Sequence, residues 1–253
     1  MDPYFELKGD KVIANDATAG PWDPTMQHGG SVAGLIAHIV DTYPSKVPMQ
    51  VSRLTIDLKR PVPLGELDIR TDVMREGRNI QALDVTLIAN GKECARGSGL
   101  RIREAEFDMP ERVLPAENPH ARKPAPMPSR YNEGFNEHLT LHEAISKPDH
   151  MRTAVWFHHA RPYFAAAPTT PLMRAAATGD YCNGFGSRLD FNEWTYINAD
   201  LTLQFARRPV GEWIMLTANA WIDKNGSGLS YGELADEKGF FGRASQCLVI
   251  GKR

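Results

Sequence analysis

The sequence predicts an α+β fold built from two copies of one unit, each a helix followed by four antiparallel strands. Three features predict it. A pattern recurs at an offset near 147 residues, each copy opens on an apolar helical stretch, and hairpin turns separate runs with two-residue alternation. LTIDLKRP (54–61) returns as LTLQFARRP (201–209), and Gly65-Glu66 returns as Gly211-Glu212. Arg96 in ARGS and Arg243 in GRAS stand 147 residues apart.

In the first copy, His28-Gly29-Gly30 leads into Val32, Leu35, Ile36, Ile39 and Tyr43 at helical spacing, with Ala33, Ala37 and Val40 widening the apolar face. So broad a face predicts a helix wrapped by other elements. Leu54, Ile56 and Leu58 then alternate with Thr55, Asp57 and Lys59, a sheet with two unlike faces. Leu67 to Val73 continues the alternation up to a turn at Glu76-Gly77. Ile80 to Ala89 ends at Asn90-Gly91, a strong hairpin signal, and a fourth strand covers about Glu93 to Arg103. In the second copy, Thr170-Pro171 is a hydroxyl cap followed by proline at the first helical position, predicting a helix that ends near Gly184. Strands are expected over about Asp200–Arg207, Glu212–Ile222, Gly228–Ala235 and Phe240–Lys252. The chain therefore divides into an N-terminal repeat (1–104), a crossover (105–150) and a C-terminal repeat (151–253). Seven prolines predict that the crossover runs over the surface, with order confined to about Glu137–Ile145.

Composition narrows the function. Lys plus Arg number 29 against 31 Asp plus Glu, and the longest basic clusters are the pairs Lys59-Arg60 and Arg207-Arg208. A nucleic-acid partner would call for a broad basic face, so none is expected. No apolar run approaches the ~18 residues that span a bilayer. The opening residues carry acids where a secretory leader has a basic start, and three separated cysteines read as reduced thiols. A cytoplasmic protein is expected. His138 and His142 have zinc-like spacing but no third ligand, so no metal is expected.

HGGSVAGLIAHIVDT (28–42), RPVPLGEL (60–67) and REGRNIQALDVTLIANGK (75–92) resemble the first half of the thioesterase-like superfamily that includes bacterial acyl-CoA thioesterase II. NADLTLQFARRPVGEW (198–213) and GRASQ (242–246) resemble its second half. The resemblance implies a double hotdog, in which one continuous curved sheet wraps two central helices. It also implies an acyl-CoA or acyl-carrier thioester substrate of medium or long chain, hydrolysed by an activated water without a cofactor. The family's aspartate and glutamine match Asp200 and Gln246, catalytic by that resemblance. Its hydroxyl has no match: the alignment falls on Trp221, with Thr217, Ser227 and Ser230 nearby. Arg53 and Gly99 stand at the first-half equivalents of Asp200 and Gln246, so one active site per chain is expected. Assembly into a homo-oligomer stays open.

Hydrolysis also needs donors for a developing oxyanion. Gly29 and Gly30 offer unobstructed N–H groups at a positive helix end, with His28 beside them. Asp180 is a further supporting candidate, because an acid inside a buried helix is costly unless it has a role. Two other readings fit less of the sequence. A hotdog enoyl hydratase is suggested by Gly179-Asp180-Tyr181-Cys182-Asn183, but the histidine of that motif is missing from the segment. A non-catalytic acyl-thioester binder is suggested by the unmatched hydroxyl.

Overall fold

The computed structural model describes residues 1–114, 120–128, 132–145 and 153–253. A hairpin of β1 (Phe5–Lys8) and β2 (Lys11–Ala14) precedes helix α1 (Gly29–Thr42). Next come β3 (Met49–Leu58), β4 (Gly65–Glu76), β5 (Ile80–Ala89) and β6 (Lys92–Arg103). The crossover contributes β7 (Ala121–Arg122) and β8 (Leu139–Ile145), and β9 (Thr153–His159) follows. The second repeat has α2 (Pro171–Gly179), α3 (Cys182–Gly186), β10 (Trp194–Asn198), β11 (Asp200–Phe205), β12 (Trp213–Ile222), β13 (Ser227–Asp236) and β14 (Gly239–Lys252).

The strands form one sheet in the order β1-β2-β4-β5-β6-β3-β11-β14-β13-β12-β9-β8-β7, with β10 added beside β14. Its centre is the antiparallel seam between the halves, where Leu201 pairs with Ile56 and Leu203 with Leu54. Joining at this seam removes one exposed strand edge from each half. The predicted double hotdog is therefore the observed architecture, with every pair antiparallel. Ordered structure in the crossover includes the predicted 137–145 stretch, where β8 pairs with β9 through Leu141 and Phe157. Other parts of the crossover, 115–119, 129–131 and 146–152, lie outside the described residues. No helix among the described residues is long and apolar enough to cross a membrane.

Helix α1 is buried along most of its length through Val32, Leu35, Ile36 and Val40. It stops at Thr42 because Tyr43 precedes Pro44 and is held extended (φ −61°, ψ 137°). The helix lies close on β6: a Cβ added at Gly97 would sit 2.4 Å from Ile36 Cγ2, and one at Gly99 would sit 2.5 Å from Val40 Cγ1. Helix α2 opens as predicted, with Pro171 first and the Thr170 hydroxyl accepting from Met173 N at 3.3 Å. It does not run to Gly184. It breaks after Gly179, and two residues separate it from the short α3. The break places Asp180 at a helix end, not within a helix as its sequence position suggested.

Candidate active site

The site forms where the first half's helix meets the break in the second half's helix. His28 caps α1, its ring Nδ1 accepting from Gly30 N at 2.9 Å. Gly30 N–H is therefore already engaged. Gly29 N–H has no protein acceptor among the described residues, and Gly29 lines a cavity of about 930 Å³. A Cβ added at Gly29 would lie 2.6 and 2.7 Å from the two carboxylate oxygens of Asp180. Glycine is required there by close approach: any side chain would displace the acid of the other half.

Asp180 is 4% exposed yet ringed by nitrogen. Asn198 Nδ2 donates to Oδ1 at 2.9 Å, and Gln246 Nε2 donates to Oδ1 at 3.3 Å and to the Asp180 carbonyl at 3.0 Å. His28 Nδ1 stands 3.1 Å from Oδ2. One ring nitrogen cannot both accept from Gly30 N–H and donate to Asp180; with Nδ1 accepting from Gly30, it lies beside Oδ2 without donating to it. Gln246 is 1% exposed and fully occupied, since its Oε1 also accepts from Asn183 N at 3.0 Å. Asp180 and Asn198 line the cavity, whereas Gln246 sits behind them. These donors and the start of α1 converge on the Asp180 carboxylate in an otherwise apolar interior.

Around Asp180 the cavity lining is mixed. Met127, Leu139, Leu141 and Phe185 are apolar, so the crossover and β8 contribute to it, and Trp22, Phe191 and Tyr196 form an aromatic cluster. Lys59 and Arg60 also line the cavity. Behind the site lies His159, 1% exposed, its pKa pushed down to about 3 by burial and by Arg174, His28 and His158. Burial, with a smaller contribution from Asp180, raises the pKa of the Cys182 thiol well above its ordinary value. That thiol is therefore a poor nucleophile.

The structure brings together five sequence candidates, His28, Gly29, Gly30, Asp180 and Gln246, and separates Asp200, Trp221 and Ser227 from them. Asp200 does not share a site with Gln246. It stands on the opposite face of the sheet, where its Oδ1 accepts from Cys247 N at 2.6 Å and it raises the pKa of the exposed Cys247 thiol. The reason is parity: Leu201, Leu203 and Phe205 point inward, so Asp200 points outward with Gln204. Trp221 is 65% exposed and packs on Tyr231, and Ser227 opens β13 at the surface. Neither lines the cavity. Gly30 is in the site, but its N–H is held by His28. Asn198, which the sequence does not mark, completes the cluster through its bond to Asp180.

Two family models match the chain in succession: the acyl-CoA thioesterase N-terminal domain over residues 18–102 and the acyl-CoA thioesterase C-terminal domain over residues 110–250. The chain belongs to the acyl-CoA thioesterase family. No curated protein matches the sequence. Among solved structures, an acyl-CoA thioesterase II from Mycobacterium marinum is 16% identical, with 98% of this chain and 95% of that chain covered and a TM-score of 0.68. A tesB protein of Mycobacterium avium subsp. paratuberculosis is 12% identical, with the same coverages and a TM-score of 0.69. A conserved protein of unknown function with a hot dog fold from Alicyclobacillus acidocaldarius is 15% identical, again covering 98% and 95%, with a TM-score of 0.69. At these identities the likeness is one of fold.

Proposed function

We propose that this acyl-CoA thioesterase family member hydrolyses a medium- or long-chain fatty acyl thioester at Asp180, by direct attack of water. The observation that carries the reading is the contact between halves: a Gly29 N–H with no acceptor among the described residues at one helix end, against a buried, donor-ringed carboxylate at the other. A water held by Asp180 and Asn198 gives its proton to Asp180 while its oxygen attacks the thioester carbonyl carbon. The resulting oxyanion takes the Gly29 N–H and the positive end of α1. Collapse breaks the carbon–sulfur bond, and the departing thiolate recovers the proton from Asp180. Gln246 and His28 are positioning residues, because each acts through the Asp180 carboxyl.

A hydratase reading gains one observation. His28, supplied by the other half, stands 3.1 Å from Asp180 and completes an acid/base pair that the local motif lacks. Turnover of saturated and enoyl acyl-CoA panels in ¹⁸O-labelled water separates the readings. Hydrolysis is expected to release free CoA and place one ¹⁸O in the carboxylate. A hydroxyacyl thioester with its thioester intact would establish the hydratase instead, and no product from either panel would leave a binder.

A further inference from the structure

Among the described residues the crossover gives the cavity five, and four of them, Met127, Pro128, Leu139 and Leu141, are apolar. The fifth is Asn136, which ends a single 3₁₀ turn (Gly134–Asn136) and is 7% exposed. Three bonds hold this turn in place. Phe135 N donates to Ala19 O at 3.0 Å, the Tyr4 hydroxyl donates to Phe135 O at 3.2 Å, and the Tyr181 hydroxyl donates to Asn136 Oδ1 at 2.6 Å. The buried Phe135 ring stacks on His28 at 5.1 Å, and the Tyr181 ring packs on His28 at 4.8 Å. Asn136 is thus fixed to the same aromatic group that borders Asp180.

The bond to Tyr181 also sets which way the amide points. A separation of 2.6 Å is that of O–H···O and short for N–H···O, so the amide oxygen faces the phenol. Burial raises the Tyr181 hydroxyl well above its ordinary pKa, so it stays protonated and donates. The amide nitrogen is left on the other side. It has no acceptor among the described residues, and it is not sealed in the protein as His159 Nδ1 is. An empty amide donor in an apolar wall is costly unless the bound molecule brings an acceptor. A plain alkyl chain brings none. The thioester carbonyl has the Gly29 N–H, and Asn136 stands off from it: Asp180 adjoins the backbone end of Tyr181, whereas Asn136 meets its hydroxyl end. One side chain's length from the reacting carbon is the reach of an oxygen close to the thioester, not of one far along the chain. We propose that Asn136 is a specificity-determining residue whose amide N–H₂ recognises an oxygen on the β-carbon of the acyl chain. The preferred substrates are then β-hydroxyacyl and β-oxoacyl thioesters. This rests on the thioesterase reading for its place in a reaction, but the donor can be tested by binding alone.

The test gives the intact protein β-hydroxyacyl-, β-oxoacyl- and saturated acyl-CoA of one chain length. Both oxygenated substrates are expected to exceed the saturated one in kcat/KM by about 10-fold or more, the scale of one hydrogen bond to an otherwise unpaired donor. Asn136→Leu should bring these ratios close to one. Asn136→Asp keeps an oxygen for Tyr181 but removes the N–H₂. It should abolish the preference for the β-oxo chain while sparing that for the β-hydroxyl, which can itself donate; a purely structural role for Asn136 would not split the two. Equal kcat/KM for all three substrates in the wild type, or variants that slow all three alike, would overturn the proposal. Calorimetry with the free β-hydroxy and saturated fatty acids reads the same preference without turnover. If no thioester is hydrolysed but the β-hydroxy acid binds about 10-fold more tightly, the thioesterase reading fails and the donor stands. Equal binding of the two acids would remove the donor whatever the turnover.

Discussion

Where the first half has Gly99, the second has Gln246, and the two interiors differ accordingly. Gly99 lies directly under Val40, and Gly97 under Ile36, so α1 rests on bare strand backbone and the first half closes as an apolar core. In the second half, Gln246 reaches across to the backbone on both sides of a helix break, bonding the Asp180 carbonyl and Asn183 N. One duplicated framework thus supports two outcomes. A glycine on the strand goes with close packing; an amide goes with a bonded helix break that has an acid at its end. The first half still contributes to the site, but through the end of its helix, not its face.

Paired substitutions across the halves sharpen this contrast. The largest effect is expected from Gly29→Ala, which pushes a methyl into the Asp180 carboxylate. Turnover should fall about 10²- to 10³-fold, as for loss of an oxyanion contact, with the fold retained by circular dichroism. Its counterpart, Gly99→Ala, forces a methyl against Val40. That variant should lose about 1–3 kcal/mol of stability by overpacking, while kcat per folded molecule stays near wild type. Equal kinetic damage from both would mean that the halves are not specialised as described.

Gln246→Leu keeps the volume but leaves Asn183 N–H and the Asp180 carbonyl without their amide partner. Stability should fall by about 1–3 kcal/mol in urea titration, and turnover by about 10-fold or more as Asp180 loses its position. Asn198→Ala should cost less, and Asn198→Thr, which returns a donor, should recover part of that loss in kcat.

A smaller effect concerns pH. Burial holds the His159 pKa at about 3 in the folded protein, below the ~6.5 of an unfolded histidine. The unfolded chain therefore binds the extra proton first. The stability linked to neutral His159 is present above about pH 6.5 and is lost as pH falls toward 3, by up to ~1.4 kcal/mol per pH unit. Melting temperatures of wild type and His159→Gln between pH 7 and 4.5 should converge as pH falls. Parallel curves would show that His159 does not titrate this way.

Much of the fold was legible because duplication repeats its own signals: the main strands of both repeats and both helix starts follow from alternation, caps and turns. The hairpin at Gly9-Asp10 was equally readable but short. Strand β9 was not, since Ala154, Val155, Trp156 and Phe157 are all buried and show no alternation. In the site, Gly29, His28 and Gln246 could be read. Asp200 drew the base assignment, although the inward set Leu201, Leu203 and Phe205 already put it on the far face. Asp180 was visible only as an anomaly, because the helix break beside it is bonded by Gln246 from a strand 66 residues away. Asn198 gave no signal, as a lone amide at a short strand's end has no periodicity to betray it.

The most direct test of the account compares Asp180→Asn with Asp200→Asn in one acyl-CoA hydrolysis assay, with melting temperature and ligand binding measured alongside. Asp180→Asn should lose about 10²- to 10⁴-fold in kcat, the range for removing a general base, while Asp200→Asn stays within about twofold of wild type. Full activity in the Asp180 variant, or a comparable loss in the Asp200 variant alone, would contradict the placement of the chemistry at the helix break.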